Sequence, residues 1–420
     1  MKHVLFTISI IALLSSAKAQ TVKLLTIEDC YAMARQHYPL AKKKELIKKS
    51  AEYSVENAAT SFLPQFIING QATYQSDVTE VPIKLPNATI TSISKDQYKI
   101  YAEVNQTVFD GGITMLQKKS MQAGAVIEQQ QLEVELYKLK ERINQLYFGI
   151  LLINEQLAQN EILKNDIQLG LDKTKAAIAN GIALKTNAEI LQAELLKNDQ
   201  RNTELRSTRL AYIDMLGLFI NQPLTENSSF EKPVSIPVAN EINRPELMVF
   251  DNQKKLIGIK NNIVDAKNLP RVSLFLQGGY GRPALNMLKN DFNGYYIGGL
   301  RFSWSLSGLY TTKKEKALLD LDKRSIDIQR ETFLFNTNLQ VKQQNAEINK
   351  LNELIRSDNA IIELRNHIKN TSLVQLENGV INSSDYLREV NAENQAKQNQ
   401  SLHNMQLLMA QYNHQTITGN

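Results

Sequence analysis

The stretch Phe66-Ile67-Ile68-Asn69-Gly70-Gln71-Ala72-Thr73-Tyr74-Gln75 decides how this chain is read. In an extended backbone successive side chains point to opposite faces, so Phe66, Ile68, Gly70, Ala72 and Tyr74 share one side, while Ile67, Asn69, Gln71, Thr73 and Gln75 share the other. The alternation returns three times. Tyr98, Ile100, Ala102, Val104 and Val108 alternate with Gln97, Lys99, Tyr101, Glu103, Asn105 and Thr107. Val272, Leu274, Leu276 and Tyr280 alternate with Arg271, Ser273 and Gln277, and Tyr296, Leu300, Phe302, Trp304 and Leu306 with Gly299, Arg301, Ser303 and Ser305. Such segments, with aromatics toward their ends, suit a tilted transmembrane β-strand with lipid on one side and water on the other. An amphipathic strand of a soluble sandwich reads much the same.

What surrounds the strands separates these two readings. No proline interrupts the chain between Gly112 and Gly181, or between Gly308 and Gly379. In the first of these spans Leu132, Leu136, Leu139, Ile143, Leu146, Ile150, Ile153 and Leu157 step alternately by four and three, a heptad seam. At ~1.5 Å per residue each span makes a helix of ~100 Å, longer than an ordinary globular domain. Shorter helices are expected over Thr26–Phe62, opened by Thr26 with Asp29 three residues on and stopped by Pro64, and over Ile182–Leu216. Laid end to end, the two shorter helices match a long one. Four strands do not close a membrane barrel, which needs about eight, and lipid tolerates no open sheet edge. Strands placed in a membrane therefore demand oligomerisation; three chains supply twelve strands, with helices continuing as a hollow coiled-coil tube.

Self-comparison resolves the chain into two copies of one unit. Tyr38-Pro39-Leu40 and Leu63-Pro64 match Arg244-Pro245-Glu246-Leu247 and Leu269-Pro270, both proline pairs lying 206 residues apart. Phe109-Asp110-Gly111-Gly112 corresponds to Leu306-Ser307-Gly308, and Asn180-Gly181-Ile182 to Asn378-Gly379-Val380. The expected organisation is a leader at 1–19, a first repeat at 20–220, a linker at 221–244 containing Pro223, Pro233 and Pro237, and a second repeat at 245–420. Each repeat reads helix, β-hairpin, long helix, helix.

The leader is inferred from Lys2, the apolar run Val4–Leu14 and Ala17-Lys18-Ala19 before Gln20, the pattern of a secretory signal peptide. Its apolar run falls short of the ~20 residues that span a bilayer as a helix, and no later apolar stretch reaches that length. The 420 residues are 43% apolar and 22% charged, which excludes a disordered or collagen-like chain. Net charge is +5, and +3 without Lys2 and Lys18, too little to imply nucleic acid. Cys30 is the one cysteine, so no internal disulfide forms; a small buried helix residue is expected there.

These landmarks resemble the TolC family of outer-membrane efflux channels of Gram-negative bacteria. The resemblance covers essentially the whole mature chain and rests on the paired openings at Tyr38-Pro39-Leu40 and Arg244-Pro245-Glu246-Leu247. It rests also on Pro64 and Pro270 before each hairpin, on Gln106-Thr107-Val108-Phe109-Asp110-Gly111-Gly112 leaving the first, and on Asn180-Gly181 and Glu377-Asn378-Gly379 where the helices turn. It implies an α+β membrane protein, a homotrimer with a twelve-stranded barrel in outer-membrane lipid, continued by a periplasmic α-helical coiled-coil barrel with an equatorial belt at the linker. It further implies a passive exit duct of a tripartite efflux or type I secretion system, working with a periplasmic adaptor (membrane fusion) protein and an inner-membrane RND or ABC transporter, which supplies the energy.

The resemblance also points to a constriction near the second helical turn. Asp385 falls where the family's first acidic ring is expected, but Arg388 occupies the next acidic position. Three Asp385 carboxylates about a three-fold axis favour cations, and Arg388 partly cancels that field; equally, Asp385 suits the start of a returning helix, where a carboxylate meets the dipole. Asn187 stands where the family has an acid, and Leu376 and Ile381 stand at its tyrosine and arginine latch, so a closed state must be held differently, for instance by apolar contact of those two. Gly181 and Gly379 are expected in left-handed turns, where Val would impair adaptor docking or assembly.

No Walker loop, zinc signature or nucleophile elbow is present, and His37, His367, His403 and His414 are scattered; neither catalysis, a metal nor a cofactor is indicated. Lys118-Lys119 and Lys313-Lys314 follow the hairpins and suit either a solvated helix face or anionic head groups. The outer loops are expected near Val81–Ser94 and Gly281–Gly294. The competing reading is a periplasmic or surface coiled-coil scaffold without a pore, which has no use for four amphipathic strands paired as hairpins.

Overall fold

The computed structural model describes residues 24–80 and 92–420. The expected leader at 1–19 and most of the expected loop at Val81–Ser94 lie outside the described residues.

The order of elements is α1 (Ile27–His37), α2 (Lys43–Ala59), β1 (Gln65–Tyr74), β2 (Asp96–Phe109), α3 (Ile113–Tyr137), α4 (Leu139–Ala179), α5 (Lys185–Ile220), α6 (Pro245–Ala266), β3 (Arg271–Arg282), β4 (Asn293–Ser303), α7 (Leu309–Glu377) and α8 (Ser383–Thr418). They form two compact units, one of residues through Lys42, Glu133–Pro245 and Leu334–Asn420, the other of Lys43–Leu132 and Glu246–Phe333.

The second unit holds one antiparallel sheet in the order β1-β2-β3-β4. Its register gathers the four apolar series onto one face. Phe66 pairs with Val104 and Ile68 with Ala102; Val104 pairs with Leu276 and Ile100 with Tyr280; Leu274 pairs with Leu300 and Val272 with Phe302. A one-residue irregularity between Thr107 and Phe109 precedes the last pair of β2 with β3, Phe109 with Val272. Asp110 closes the exit of β2: its carboxylate accepts the backbone N–H of Gly112 and of Thr114, each at 2.8 Å, and so caps α3.

The first unit is helical. α4 packs lengthwise against α5 and α8, and α1 lies across α4 and α5. Leu136, Leu139, Ile143, Ile150 and Ile153 of the heptad seam are buried. At its centre the Tyr147 hydroxyl lies 2.7 Å from the carbonyl oxygens of both Leu25 and Glu231. It thereby ties the start of the described chain, which bridges to Phe230, onto the segment that follows α5. Arg209 holds that segment too, donating to the carbonyls of Glu226 and Ser228 and to Asn154 Oδ1.

The structure departs from the sequence expectations at three places. The helix expected over Thr26–Phe62 is broken at Tyr38, whose ψ of 131° is extended, because a residue before proline is pushed out of the α region; a 3₁₀ turn, Pro39–Lys42, follows. The first long helix is interrupted at Lys138, between α3 and α4. β4 ends at Ser303, so Trp304 and Leu306 lie past the strand, and the Trp304 indole N–H donates to the Asn268 carbonyl at 2.9 Å. Among the described residues no helix is long and apolar enough to cross a membrane.

Candidate functional site

The sheet is inverted relative to a soluble one. Its apolar face is the exposed face: Phe66 and Ile68 are each 77% accessible and Tyr296 is 79%. Along β3 the exposed positions Leu274, Leu276 and Tyr280 alternate with half-buried Ser273, Phe275 and Gln277. A water-soluble sheet buries such a row at ~25 cal/mol per Å² of apolar surface, so leaving it open is a large cost in water and none in hydrocarbon. β1 and β4, the outer strands, have no neighbour on their far sides among the described residues. On the polar face Arg301 pairs with Glu103 at 3.0 Å and its guanidinium lies 4.6 Å from the Phe275 ring centroid. Lys99 sits over the rings of Tyr101 and Tyr295 at 5.1 and 5.2 Å. Pro64 and Pro270 immediately precede β1 and β3.

The second candidate region is the turn end of the first unit. Gly181 and Gly379 both adopt left-handed φ, 73° and 68°. Ile182 N–H bonds to the Ala177 carbonyl at 2.9 Å and Val380 N–H to the Gln375 carbonyl at 2.8 Å, which is the six-residue closure of a helix ending on glycine. The two turns border a cleft of about 630 Å³ whose lining includes Asn187, Leu376, Gly379 and Ile381. α8 restarts on Asn382, whose Oδ1 accepts the Asp385 N–H at 3.0 Å. Asp385 is thus in a first helical turn, with Arg388 3.4 Å from its carboxylate; Arg388 also reaches Glu389 at 3.1 Å. Leu376 is buried and Ile381 packs beside it, in a cluster with Leu191, Tyr386 and Val390. Asp385 and Arg388 are therefore brought together, whereas Asn187, Leu376 and Ile381 line the neighbouring cleft.

Sequence reasoning missed the polar groups behind this turn. Lys369 on α7, 11% exposed, lies 2.9 Å from Asp166 on α4 and 2.9 Å from Glu393 on α8; Glu393, 2% exposed, also meets Lys397 at 2.7 Å. Burial opposes the charge on Lys369, but its bonds to Asp166 and Glu393 outweigh that and hold the ammonium above the usual lysine range. Burial likewise opposes the Glu393 carboxylate, and its bonds to Lys397 and Lys369 hold it below the usual range. Tyr386 donates to the Asp166 carbonyl at 3.1 Å and presses its ring against Gly170, where any side chain would collide with it. Further along, Asn160 and Asn198 exchange side-chain to backbone hydrogen bonds at 3.1 Å in both directions, buried between α4 and α5. The i, i+4 spacing of Glu393 and Lys397 is visible in sequence, but their partners lie on other helices.

Among the described residues no group of three or more His, Cys, Asp or Glu side chains is placed to hold a metal. His403 Nδ1 meets Asp358 at 2.6 Å, and His414 is buried with its Nε2 unpartnered. Cys30 is fully buried, and burial, ahead of the nearby Asp29 and Glu28 charges, pushes its thiol up to about 12.

Long helices together with a four-stranded antiparallel sheet define the fold of TolC-type outer-membrane channels, and the chain has that fold. It superimposes on CusC with a TM-score of 0.68 over 93% of this chain and 91% of that one, at 12% identity. A membrane protein from Pseudomonas aeruginosa gives 0.66 over 93% and 90%, also at 12% identity. The Campylobacter jejuni CmeC outer membrane channel gives 0.64 over 94% and 85%, again at 12%. No protein-family model matches the chain, nor does any curated protein.

Proposed function

We propose that the chain is an outer-membrane exit duct: a homotrimer whose twelve strands close a barrel in lipid and whose helices continue into the periplasm. The observation that carries this reading is the sheet, with its apolar, aromatic-rich face exposed and, among the described residues, no strand paired to the far side of β1 or β4. In hydrocarbon an open strand edge leaves several backbone groups unsatisfied, so the sheet must be completed by further copies. The fold shared with the CmeC outer membrane channel and with CusC, described for its transmembrane channel formation, supports the same reading.

In this account the duct is passive and performs no catalysis. A periplasmic adaptor docks on the helical turns at Gly181 and Gly379, and an inner-membrane RND or ABC transporter supplies cargo and energy. The two tandem repeats, 20–220 and 245–420, are the units that present hairpin and turn twice over, joined by the segment 221–244. Asp385 contributes a ring of carboxylates at the periplasmic constriction, muted by Arg388 at 3.4 Å. Leu376 and Ile381 act from within the chain's own core, stiffening the turn they border.

Extraction of outer membranes with detergent tests the duct. It predicts heat-resistant trimers that form ion-conducting pores in planar bilayers; a protein found in the soluble periplasmic fraction would instead be a scaffold. For the ring, Asp385→Asn lowers cation preference in reversal-potential recordings, and an unchanged selectivity removes Asp385 from the constriction.

A further inference from the structure

The sheet's polar face carries a cavity of about 500 Å³ near the ends of the strands that join α3 and α6. Ser61, Thr107, Thr114, Ser273, Arg271 and Arg301 are among its walls. The register explains the grouping: Arg301 faces Ser273 across β3–β4, Ser273 faces Thr107 across β2–β3, and Arg271 faces Ser303. Ile67 and Ile113 supply an apolar side to the same space.

The charge of this face is unbalanced. Among the described strand residues it bears Lys99, Arg271 and Arg301 against one carboxylate, Glu103. Glu103 engages Arg301 through one nitrogen, at 3.0 Å, which leaves the rest of that guanidinium fork free. Arg271 is exposed and makes no ion pair among the described residues. Asp110 also borders the cavity, but both its oxygens are occupied by the backbone of Gly112 and Thr114. Two guanidinium groups beside a row of hydroxyls recognise an oxyanion, since the planar fork matches carboxylate, sulfonate and phosphate oxygens in pairs.

We infer that this cavity is a binding site for amphipathic organic anions, the oxyanion held by Arg271 and Arg301 and the hydrocarbon part resting on Ile67 and Ile113. The inference deepens the duct reading: the site is a way station on the wall of the bore, and the cargo it favours is anionic. A substrate in transit gains a foothold there and loses it again because Arg271, Arg301 and Ser303 are exposed to solvent.

The test uses the full chain in detergent and, as probe, naphthalene-2-sulfonate, with benzyltrimethylammonium as the cationic control. Isothermal titration should show saturable binding of the sulfonate and none of the cation. Arg271→Gln, which breaks no ion pair, should weaken the sulfonate at least tenfold, Arg271→Lys should retain part of the affinity, and Arg301→Gln should match Arg271→Gln. In planar bilayers the sulfonate should reduce the wild-type current and leave that of Arg271→Gln untouched. Absence of binding, equal binding of the cation, or equal affinity in wild type and both glutamine variants overturns the site. Pores that conduct without binding the probe leave the duct standing and remove the site; binding without conductance keeps the site and removes the duct.

Discussion

Replacing Lys369 by Met probes the polar group that holds α4, α7 and α8 together behind the turns. Methionine keeps the length and apolar stem of the lysine, so the main loss is the charge. Breaking a buried ion pair by deleting one partner costs about 3–5 kcal/mol, because the other charge is left desolvated. Here Lys397 still contacts Glu393 at 2.7 Å, and Asp166, 23% exposed, regains water, so the cost falls near the lower end, about 3 kcal/mol. The pH dependence follows from the two displaced groups. Glu393 is held below its ordinary value, so its contribution is complete above the usual glutamate range of about 4.3 and is lost as pH falls through the lowered value. Lys369 is held above its ordinary value, so its contribution is complete below about 10.4 and is lost as pH rises through the raised value. The wild-type advantage over Lys369→Met is therefore a plateau across neutral pH that narrows at both ends. Denaturant titration of the helical signal by circular dichroism, repeated across pH, measures it, and Glu393→Gln completes a double-mutant cycle. A loss below about 0.5 kcal/mol at neutral pH, the range of an ordinary surface change, or one that does not shrink in acid, refutes the network's role.

Three further changes test neighbouring parts. Asn160→Ala should cost about 1–3 kcal/mol in the same titration by orphaning Asn198, while Asn160→Leu with Asn198→Leu should recover most of it. Gly170→Ala should destabilise by about 1–3 kcal/mol despite alanine's better helix propensity, because the new methyl meets the Tyr386 ring; thermal melts showing a gain would contradict that packing. His414 is buried without a partner for Nε2, and burial lowers its pKa, so wild-type stability should fall as the pH drops below about 6.5. His414→Leu should remove that acid sensitivity and show its advantage at low pH only.

Much of the fold could be read before any coordinates were known, because its main signals are local. Period-two alternation located all four strands, since a strand with one apolar and one polar face leaves no freedom about which residue faces where. Proline-free spans and the heptad seam located the long helices, and glycine marked the turns because the φ values there are left-handed. The misreadings arose where one local preference overrode another. Pro39 is a landmark of the repeat and also ends the first helix, because Tyr38 before it is forced into extended backbone. Trp304 continued the alternation numerically but leaves the sheet to bond Asn268. The polar clamps were illegible for a different reason: Lys369 and Asp166 stand 203 residues apart, as do no recognisable motif partners, and each alone resembles an ordinary surface charge. Asp385 and Arg388 share one turn of helix, which their spacing of three allows, whereas the packing of Leu376 and Ile381 into the chain's own core depends on partners distant in sequence.

The central claim is that the sheet's apolar face meets lipid and its polar face meets water inside a closed barrel. Cys30 is buried and its thiol suppressed, so single cysteines can be placed along β3 and β4 against a quiet background, or with Cys30→Ala. Spin labels at positions 272 to 276 and 298 to 302 of the protein in vesicles then report collisions with oxygen, which concentrates in lipid, and with a water-soluble nickel chelate. The account predicts opposite, period-two profiles: oxygen maxima at Leu274, Leu276, Leu300 and Phe302, and nickel maxima at Ser273, Phe275 and Arg301. Equal access of the nickel chelate to both faces would contradict it.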